Sequence, residues 1–259
     1  MKRVLLRVAY DGTNYHGWQI QPGATTVEGV LNYALSRLTG EEIIVIGASR
    51  TDAGVHARGN VAVFDTESTI PADRFSYALN TLLPDDVSVV ESFEVPGDFH
   101  PRKTDTEKTY EYTILNTKFP VPERRNYSWH VPQNLDIDKM RSAASPLIGQ
   151  HDFKGFCSSK TQAGSTVRII YSIGVRREGD EIKITVRGNG FLYNMVRIIA
   201  GTLVSAGGLG KVTPEKVEEA IIKKDRTLAG LTAPPQGLCL MEIDFPKLEY
   251  YEEDYMFEY

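Results

Sequence analysis

Two short apolar runs bracket a loop of small residues, and this pattern constrains the fold more than any other local feature. The first run is Ile43–Ile46 and the second is Val61–Phe64. Gly47 and Gly54 lie between them, and glycine adopts backbone conformations that other residues resist. The pattern therefore predicts a strand, an irregular loop and a second strand.

The loop between these runs reads GASRTDAGVHA and carries one carboxylate, Asp52, two positions after Arg50. A carboxylate can act as a nucleophile when a nearby cation keeps it ionised. Residues two apart in an extended segment face the same side, so Arg50 and Asp52 are expected to share a face. Asp and Gly also occur in turns for structural reasons. The loop alone therefore leaves two alternatives, a catalytic carboxylate and a solvated turn residue.

Hydrophobic periodicity predicts a mixed α+β chain. Thr25 and Glu28 form a capping-box pattern at the start of the first helix. Predicted strands cover residues 4–10, 43–47, 60–65, 87–95, 110–116, 166–176, 181–187 and 240–245. Predicted helices cover residues 26–38, 72–83, 136–147, 192–206 and 213–224.

The net charge of −5 argues at first against a nucleic-acid-binding protein, which usually has a basic balance. Residues 249–259 hold five acidic residues and no Lys or Arg, so the rest of the chain is formally neutral. A neutral body can still carry a basic face. Candidates for phosphate contact, or for ordinary solvated surface, are the pairs Arg102-Lys103, Arg124-Arg125, Arg176-Arg177 and Lys223-Lys224.

Cysteine usage and hydropathy indicate a cytoplasmic protein without a membrane segment. Cys157 and Cys239 are too few for a disulfide framework or a zinc cluster and fit a reducing compartment. The N-terminal apolar run is interrupted by Arg7, unlike a signal peptide. The longest apolar stretch, Phe191–Ala206, contains polar residues and is short for a bilayer, which favours a buried helix.

The run SRTDAGVHA at residues 49–57 resembles the catalytic loop of the tRNA pseudouridine synthase A family. Further segments resemble the same family in the same order, and the resemblance extends from residue 4 to about residue 246. They are YDGTNYHGWQ (10–19), FHPRKTDTEKTYEY (99–112), GQHDFKGF (149–156), GNGFLYNMVR (188–197) and PPQGLCL (234–240). Several ordered motifs are far more specific than one.

The resemblance implies an α+β fold of two ferredoxin-like (RRM-like) halves. These would join in one central antiparallel sheet, with a cleft across it and helices flanking it. We expect an N-terminal half at 1–100 that carries the Asp52 loop and a C-terminal half at 101–248. The acidic, aromatic tail at 249–259 follows them.

The resemblance also implies an enzyme, a tRNA pseudouridine synthase acting at uridines 38, 39 and 40 of the anticodon stem-loop. Asp52 would be its catalytic nucleophile. Whether Asp52 attacks C1′ or C6, or removes a sugar proton, stays open. The isomerisation oxidises nothing and carries no group away, so no small-molecule cofactor or metal is expected. The sequence contains no GxxxxGK[ST], HExxH or CxxC motif.

Four further residues are candidates for substrate binding. The expectation for Arg50 comes from its spacing to Asp52, and the expectations for the other three come from the resemblance. Tyr110 would stack on the extruded base, Leu238 would pack against it and Arg50 would contact phosphate or backbone. Arg197 would pair with Asp52, because a buried unpaired charge is very costly. The structural alternatives are a core tyrosine, a core leucine, an ion pair for Arg50 and a surface-directed Arg197.

The expected partners are tRNA and a second copy of the chain, because the family works as a homodimer with tRNA across both subunits. A non-catalytic RNA-binding module and a carboxylate-dependent hydrolase are the alternatives; the latter would release free uracil. One segment departs from the family pattern: Lys108 stands near the usual arginine position, and Asp105 and Glu107 add negative charge.

Overall fold

The computed structural model describes residues 1–158, 164–208, 212–246 and 248. The predicted acidic tail at 249–259 lies outside the described residues. The first part of the chain forms four strands and two helices. They are β1 (Lys2–Tyr10), α1 (Val27–Thr39), β2 (Ile46–Gly47), β3 (His56–Thr66), α2 (Phe75–Leu79) and β4 (Val87–Val95).

The second part forms six strands and three helices among the described residues. They are β5 (Glu107–Leu115), β6 (Trp129–His130), α3 (Ile137–Ala144), β7 (Gly149–Asp152), β8 (Val167–Glu178), β9 (Glu181–Gly188), α4 (Met195–Gly208), α5 (Pro214–Ile222) and β10 (Leu238–Asp244). The two-residue β6 pairs with β5, and β2 pairs with β3.

All strands join one sheet in the order β4-β1-β3-β10-β5-β9-β8-β7. The order β4-β1-β3-β2 in the first part matches β10-β5-β9-β8 in the second, with helices in the same connections. The expected α+β class with one central sheet is thus confirmed. The sheet is mostly antiparallel, but its central junction differs from the expectation. There β10 runs parallel to β3, pairing Cys239 with His56 and Leu240 with Ala57.

The first helix begins one residue later than the capping-box pattern indicates. The Thr26 hydroxyl, not that of Thr25, accepts a hydrogen bond from Gly29 N, at 3.3 Å. Glu28 instead accepts one from Ile20 N, at 2.8 Å, and so ties the preceding loop to the helix. The helix ends at Gly40, whose φ of 74° is typical of a left-handed C-cap.

Several elements are shorter than predicted, and two of them differ most. Within the strand expected at 43–47, only Ile46–Gly47 pairs with β3. The helix expected at 72–83 is a 3-10 turn at Ala72–Arg74 followed by α2. The α-helix stops at Asn80, whose side chain bonds both the N–H and the C=O of Val89 on β4. Contacts with neighbouring strands therefore set these boundaries.

The apolar stretch near residue 200 forms the buried helix α4, and it starts at Met195 instead of 192. Asn194, with φ 63°, adopts a left-handed conformation immediately before it. The helix packs against α3 and contacts β5. Among the described residues, no helix combines the length and apolar character needed to cross a bilayer.

Candidate active site

The loop that carries Asp52 leaves the sheet where β3 changes its neighbour. One edge of β3 pairs with β2 at Ala62 and Val63 and with β10 at His56 and Ala57. Residues 48–55 connect β2 to β3 at this point. The loop therefore lies at the junction between the two parts of the sheet, within reach of side chains from both.

A tight turn presents Asp52. The Asp52 carbonyl accepts a hydrogen bond from Val55 N at 3.1 Å, and Gly54, third in the turn, has φ 76°. Glycine is favoured at this turn position because other residues resist positive φ. Gly54, which the sequence indicated as a residue of unusual backbone conformation, thus helps to set the direction in which the Asp52 side chain leaves the backbone.

The N-terminal segment anchors this turn through hydrogen bonds. The Tyr10 hydroxyl lies 2.7 Å from Thr51 Oγ1, and Trp18 N donates to the Thr51 carbonyl at 3.1 Å. Gly54 N donates to the Tyr15 carbonyl at 3.2 Å. The YDGTNYHGWQ segment therefore shapes the loop, mainly through its backbone, and leaves the Asp52 side chain as the projecting group.

Arg197 reaches Asp52 from the first turn of α4. Its Nη1 lies 3.2 Å from Asp52 Oδ2 and 2.8 Å from Asn194 Oδ1, while Nε donates to the Ala233 carbonyl at 2.8 Å. The Arg197 side chain is 16% exposed, so it is directed inward and not to the surface. The contact that the resemblance implied is present, and it joins residues 145 positions apart.

Two opposing effects act on the Asp52 carboxyl. Burial disfavours the charged form and raises its pKa, whereas the charge of Arg197 and its hydrogen bond lower it. Burial is the larger effect, so the pKa of Asp52 lies above its ordinary value of 3.8. Arg197 thus limits the shift but does not cancel it, which differs from the simple expectation of a carboxylate held ionised by its partner.

Tyr110 projects from β5 towards the same loop. Its hydroxyl lies 2.9 Å from Ser49 Oγ, and its ring packs edge-on against Phe191 with centroids 5.3 Å apart. Burial raises the pKa of Tyr110 to about 12, so the phenol is protonated at neutral pH. The side chain is buried as a core tyrosine would be, yet it also lines the cavity described next.

A cavity of about 800 Å³ opens between the Asp52 loop, β5 and the start of α4. Its volume is within the range of small-molecule sites, about 300–1,000 Å³. The five residues predicted for the site, Asp52, Tyr110, Arg50, Arg197 and Leu238, all line this cavity. Leu238, at the start of β10, is nearly covered, whereas Arg50 is exposed. No carboxylate of the described residues lies within ion-pair distance of Arg50.

The cavity is strongly basic although the chain is acidic overall. Among the described lining residues, Asp52 is the sole carboxylate, and five side chains are basic. These are Arg50, Arg102, Lys108, Arg168 and Arg197. Of the four basic pairs in the sequence, only one contributes here, through Arg102. Members of the other three pairs form ion pairs elsewhere: Arg124 with Glu181, Arg176 with Glu111, Lys223 with Glu219 and Lys224 with Asp152.

Three supporting residues escaped the sequence analysis. Asn194 holds Arg197, Ser49 holds the Tyr110 hydroxyl, and fully buried Asn60 donates to the Ser49 carbonyl at 3.1 Å. Asn194 had only a weak signal: Asn tolerates the left-handed conformation, but the predicted helix start at residue 192 placed Asn194 inside the helix. Ser49 and Asn60 had none, because their roles depend on partners that are apart in the sequence.

His56 lies next to the Asp52 loop, and backbone groups hold its ring in place. Gly12 N donates to His56 Nδ1 at 3.0 Å, and His56 Nε2 lies 2.8 Å from the Asn126 carbonyl. Both ring nitrogens are thus engaged by the backbone, which is typical of a structural histidine. Within the described ranges, no group of His, Cys, Asp and Glu side chains is arranged to hold a metal ion.

The family model described as tRNA pseudouridine synthase matches residues 7–102 and 143–246. The chain belongs to this family. The matched ranges include the Asp52 loop, Arg197 and Leu238, whereas Tyr110 lies between them. The family assignment therefore covers the parts of the chain that build most of the cavity.

Two relatives are similar along almost their whole length. The tRNA pseudouridine synthase A of Thermoanaerobacter sp. (strain X514) is 52% identical over 243 residues, covering 94% of this chain and 99% of that protein. The protein of the same name from Acetivibrio thermocellus is 49% identical with the same coverage. In the crystal structure of the archaeal box H/ACA sRNP Nop10-Cbf5 complex, one chain aligns at 12% identity with a TM-score of 0.34. That alignment covers 88% of this chain and 59% of that chain, a likeness too low to support a conclusion.

Proposed function

We propose that this protein is a tRNA pseudouridine synthase that isomerises uridines 38, 39 and 40 of the anticodon stem-loop, with Asp52 as nucleophile. The observation that carries the proposal is the pairing of Asp52 with Arg197 at 3.2 Å inside a basic cavity. Family membership and the names of the relatives supply the reaction and the tRNA substrate.

The reaction balances without a co-reactant. The N1–C1′ bond breaks, the uracil turns over, and a C5–C1′ bond forms. C5 loses a proton, N1 gains one, and nothing is oxidised or reduced. The nucleophile must form a temporary bond and later leave, which a carboxylate can do. Attack at C1′, attack at C6 and removal of a sugar proton all begin from the ionised form of Asp52.

The neighbouring residues divide the remaining tasks. Tyr110 offers the face of a fixed aromatic ring to the extruded base, and Leu238 packs against the base from β10. Arg50 is free to meet a phosphate because no carboxylate of the described residues pairs with it. Arg197 opposes the effect of burial on the pKa of Asp52 and fixes the orientation of its carboxylate.

The folded RNA would be held mainly through its backbone and shape, while the target base leaves its stack to enter the cavity. Unstacking costs a few kcal/mol, which the basic cavity offsets through phosphate contacts. A net-acidic protein can bind RNA in this way because its positive charge is concentrated where the backbone passes.

The organisation of the whole molecule follows the same proposal. The repeated strand order supports a division into halves at 1–100 and 101–248. We infer from the family that two copies form a cytoplasmic homodimer with tRNA across both subunits. Light scattering on the purified protein would give the mass of two chains, and a monomeric mass in the presence of tRNA would contradict the inference.

A mapping assay tests the function. Wild-type protein, Asp52→Asn and the control Asp180→Asn, which changes an exposed carboxylate of the β8–β9 turn, are incubated with tRNA carrying anticodon-arm uridines. We expect pseudouridine from the wild type and the control and none from Asp52→Asn. Binding without pseudouridine in the wild type would indicate a non-catalytic module, and release of free uracil would indicate a hydrolase.

A further inference from the structure

Three basic side chains of the cavity form a cluster to which the proposed function assigns no individual ligand. Lys108 lies on β5, Arg168 on β8 and Arg102 in the segment before β5, and all three line the cavity. No carboxylate of the described residues lies within ion-pair distance of any of them. Other strand-borne cations of the sheet, such as Arg176 and Lys183, pair with Glu111 or Glu178.

Lys108 is the central member of this cluster. Its Nζ donates to the Ala48 carbonyl at 2.8 Å, the single hydrogen bond it makes to the described residues. An ammonium group has three N–H donors, so two remain for a ligand in the cavity. Burial, together with the positive charges of Arg168 and Arg102, lowers the pKa of Lys108 to about 8. These three charges repel one another until an anion compensates them.

The position of Lys108 relates this cluster to the base-binding residue. Lys108 and Tyr110 are two residues apart on β5 and therefore project to the same face. Their separation along the strand is about 7 Å at roughly 3.3 Å per residue. That spacing is comparable to the distance from the base of a nucleotide, across its sugar, to its phosphate.

We propose that Lys108, Arg102 and Arg168 form a binding site for one backbone phosphodiester, adjacent to the base position at Tyr110. The inference rests on the proposed function, because it takes the ligand to be the RNA strand that carries the target uridine. The phosphate anchors the strand while the base turns over, since the uracil is detached from the sugar during the reaction. Lys108 is thus a binding residue, separate from the pair of Asp52 and Arg197.

The salt dependence of tRNA binding tests the site without requiring turnover. The logarithm of the binding constant falls with the logarithm of salt concentration, by about 0.7 to 0.9 per neutralised phosphate. Affinity for tRNA is measured over a KCl series in an Asp52→Asn background. We expect Lys108→Met to weaken binding several-fold and to reduce the slope by about 0.7 to 0.9, whereas Lys108→Arg retains it. Lys118→Met, an exposed lysine away from the cavity, leaves affinity and slope unchanged.

A double variant tests whether the cations share one phosphate. Arg168→Met alone reduces the slope by a similar amount. The slope of the double variant, with both Lys108→Met and Arg168→Met, is then little smaller than that of either single variant, because both cations bind one phosphate. The proposal would be overturned if the two slope reductions added up to the value for two phosphates, or if Lys108→Met left the slope unchanged. A fall in the turnover rate of Lys108→Met at an unchanged slope would assign Lys108 to the base and equally overturn it.

Wild-type turnover on the same tRNA separates this inference from the proposed function. If the wild type forms pseudouridine but Lys108→Met keeps its slope, only the phosphate site is wrong. If the wild type binds tRNA without forming pseudouridine, the proposed function fails whatever the slopes show. A thermal melt of each variant checks its folding. If Lys108→Met unfolds the loop by losing the bond to Ala48, the salt dependence of Arg168→Met tests the site in its place.

Discussion

Gly47 closes β2 against the indole of Trp18, and replacing it by alanine tests how tightly the Asp52 loop is held. A Cβ atom at residue 47 would lie 2.3 Å from Trp18 Nε1 and 2.5 Å from Cε2. Ordinary contact begins near 3.4 Å, so the overlap is about 1.1 Å. Trp18 is 1% exposed, so the ring has no open space into which to turn. Either β2 or the indole must move.

The expected cost follows from this overlap. Overpacking a well-packed core costs about 1–3 kcal/mol, and an enclosed indole places Gly47→Ala at about 2–3 kcal/mol of unfolding free energy. For a chain of this size 1 kcal/mol corresponds to roughly 2–4 °C, so the melting temperature falls by about 4–12 °C. Turnover also falls at temperatures where the variant is folded, because Trp18 N holds the Thr51 carbonyl next to Asp52.

Thermal unfolding and single-turnover pseudouridine formation measure the two effects. Gly174→Ala is the matched control, because a Cβ at this position of β8 meets no atom within 4 Å. We expect Gly174→Ala to change the unfolding free energy by less than about 0.5 kcal/mol. Equal melting temperatures for the two alanine variants would refute the argument that Gly47 is required by the packing of Trp18.

Three further substitutions and one pH profile examine the site. Burial raises the pKa of Asp52, so the ionised carboxylate lowers the stability of the fold at neutral pH. Asp52→Asn should therefore abolish turnover and yet have a slightly higher melting temperature than the wild type. For the same reason the single-turnover rate should fall as pH drops through a pKa above 3.8, and a rate independent of pH down to 3.8 would contradict this. Tyr110→Phe loses the bond to Ser49, about 0.5–1.5 kcal/mol in a denaturant melt, but keeps its ring and most of its turnover. Asn60→Ala should cost about 2–3 kcal/mol in the same measurement, because buried partners including the Ser49 carbonyl lose their bonds.

Local sequence patterns predicted the secondary-structure elements correctly where local interactions determine them. The spacing of Val27, Leu31, Ala34 and Leu35 predicted α1, and each of these residues is buried. Boundaries were less accurate because they depend on partners elsewhere. The helix α2, for example, ends where the Asn80 side chain bonds Val89 on β4. The parallel pairing of β10 with β3 joins segments about 180 residues apart, which no local pattern specifies.

The site was predictable to the extent that family motifs carry it. Asp52, Tyr110, Arg197 and Leu238 lie within quoted motifs, and the structure brings their side chains to one cavity. Their catalytic and binding roles stay predictions. The sequence offered Arg102 as a candidate for phosphate contact and placed Lys108 near the usual arginine position of the family. It did not join them with Arg168, because the cluster assembles residues from separate segments and depends on which of them have no carboxylate nearby. Whether a carboxylate lies near a given cation is decided by the folded structure and not by the local sequence.

The central junction of the sheet explains why an acidic chain can hold a basic cavity. Asp52 comes from the segment between β2 and β3, whereas Tyr110, Arg197 and Leu238 come from the second part of the chain. The parallel contact between β3 and β10 brings these groups to one place. Acidic residues of β5 and β8, such as Glu111 and Glu178, meanwhile pair with cations away from the cavity. The formal net charge therefore says little about substrate, because strand register decides which cations stay unpaired.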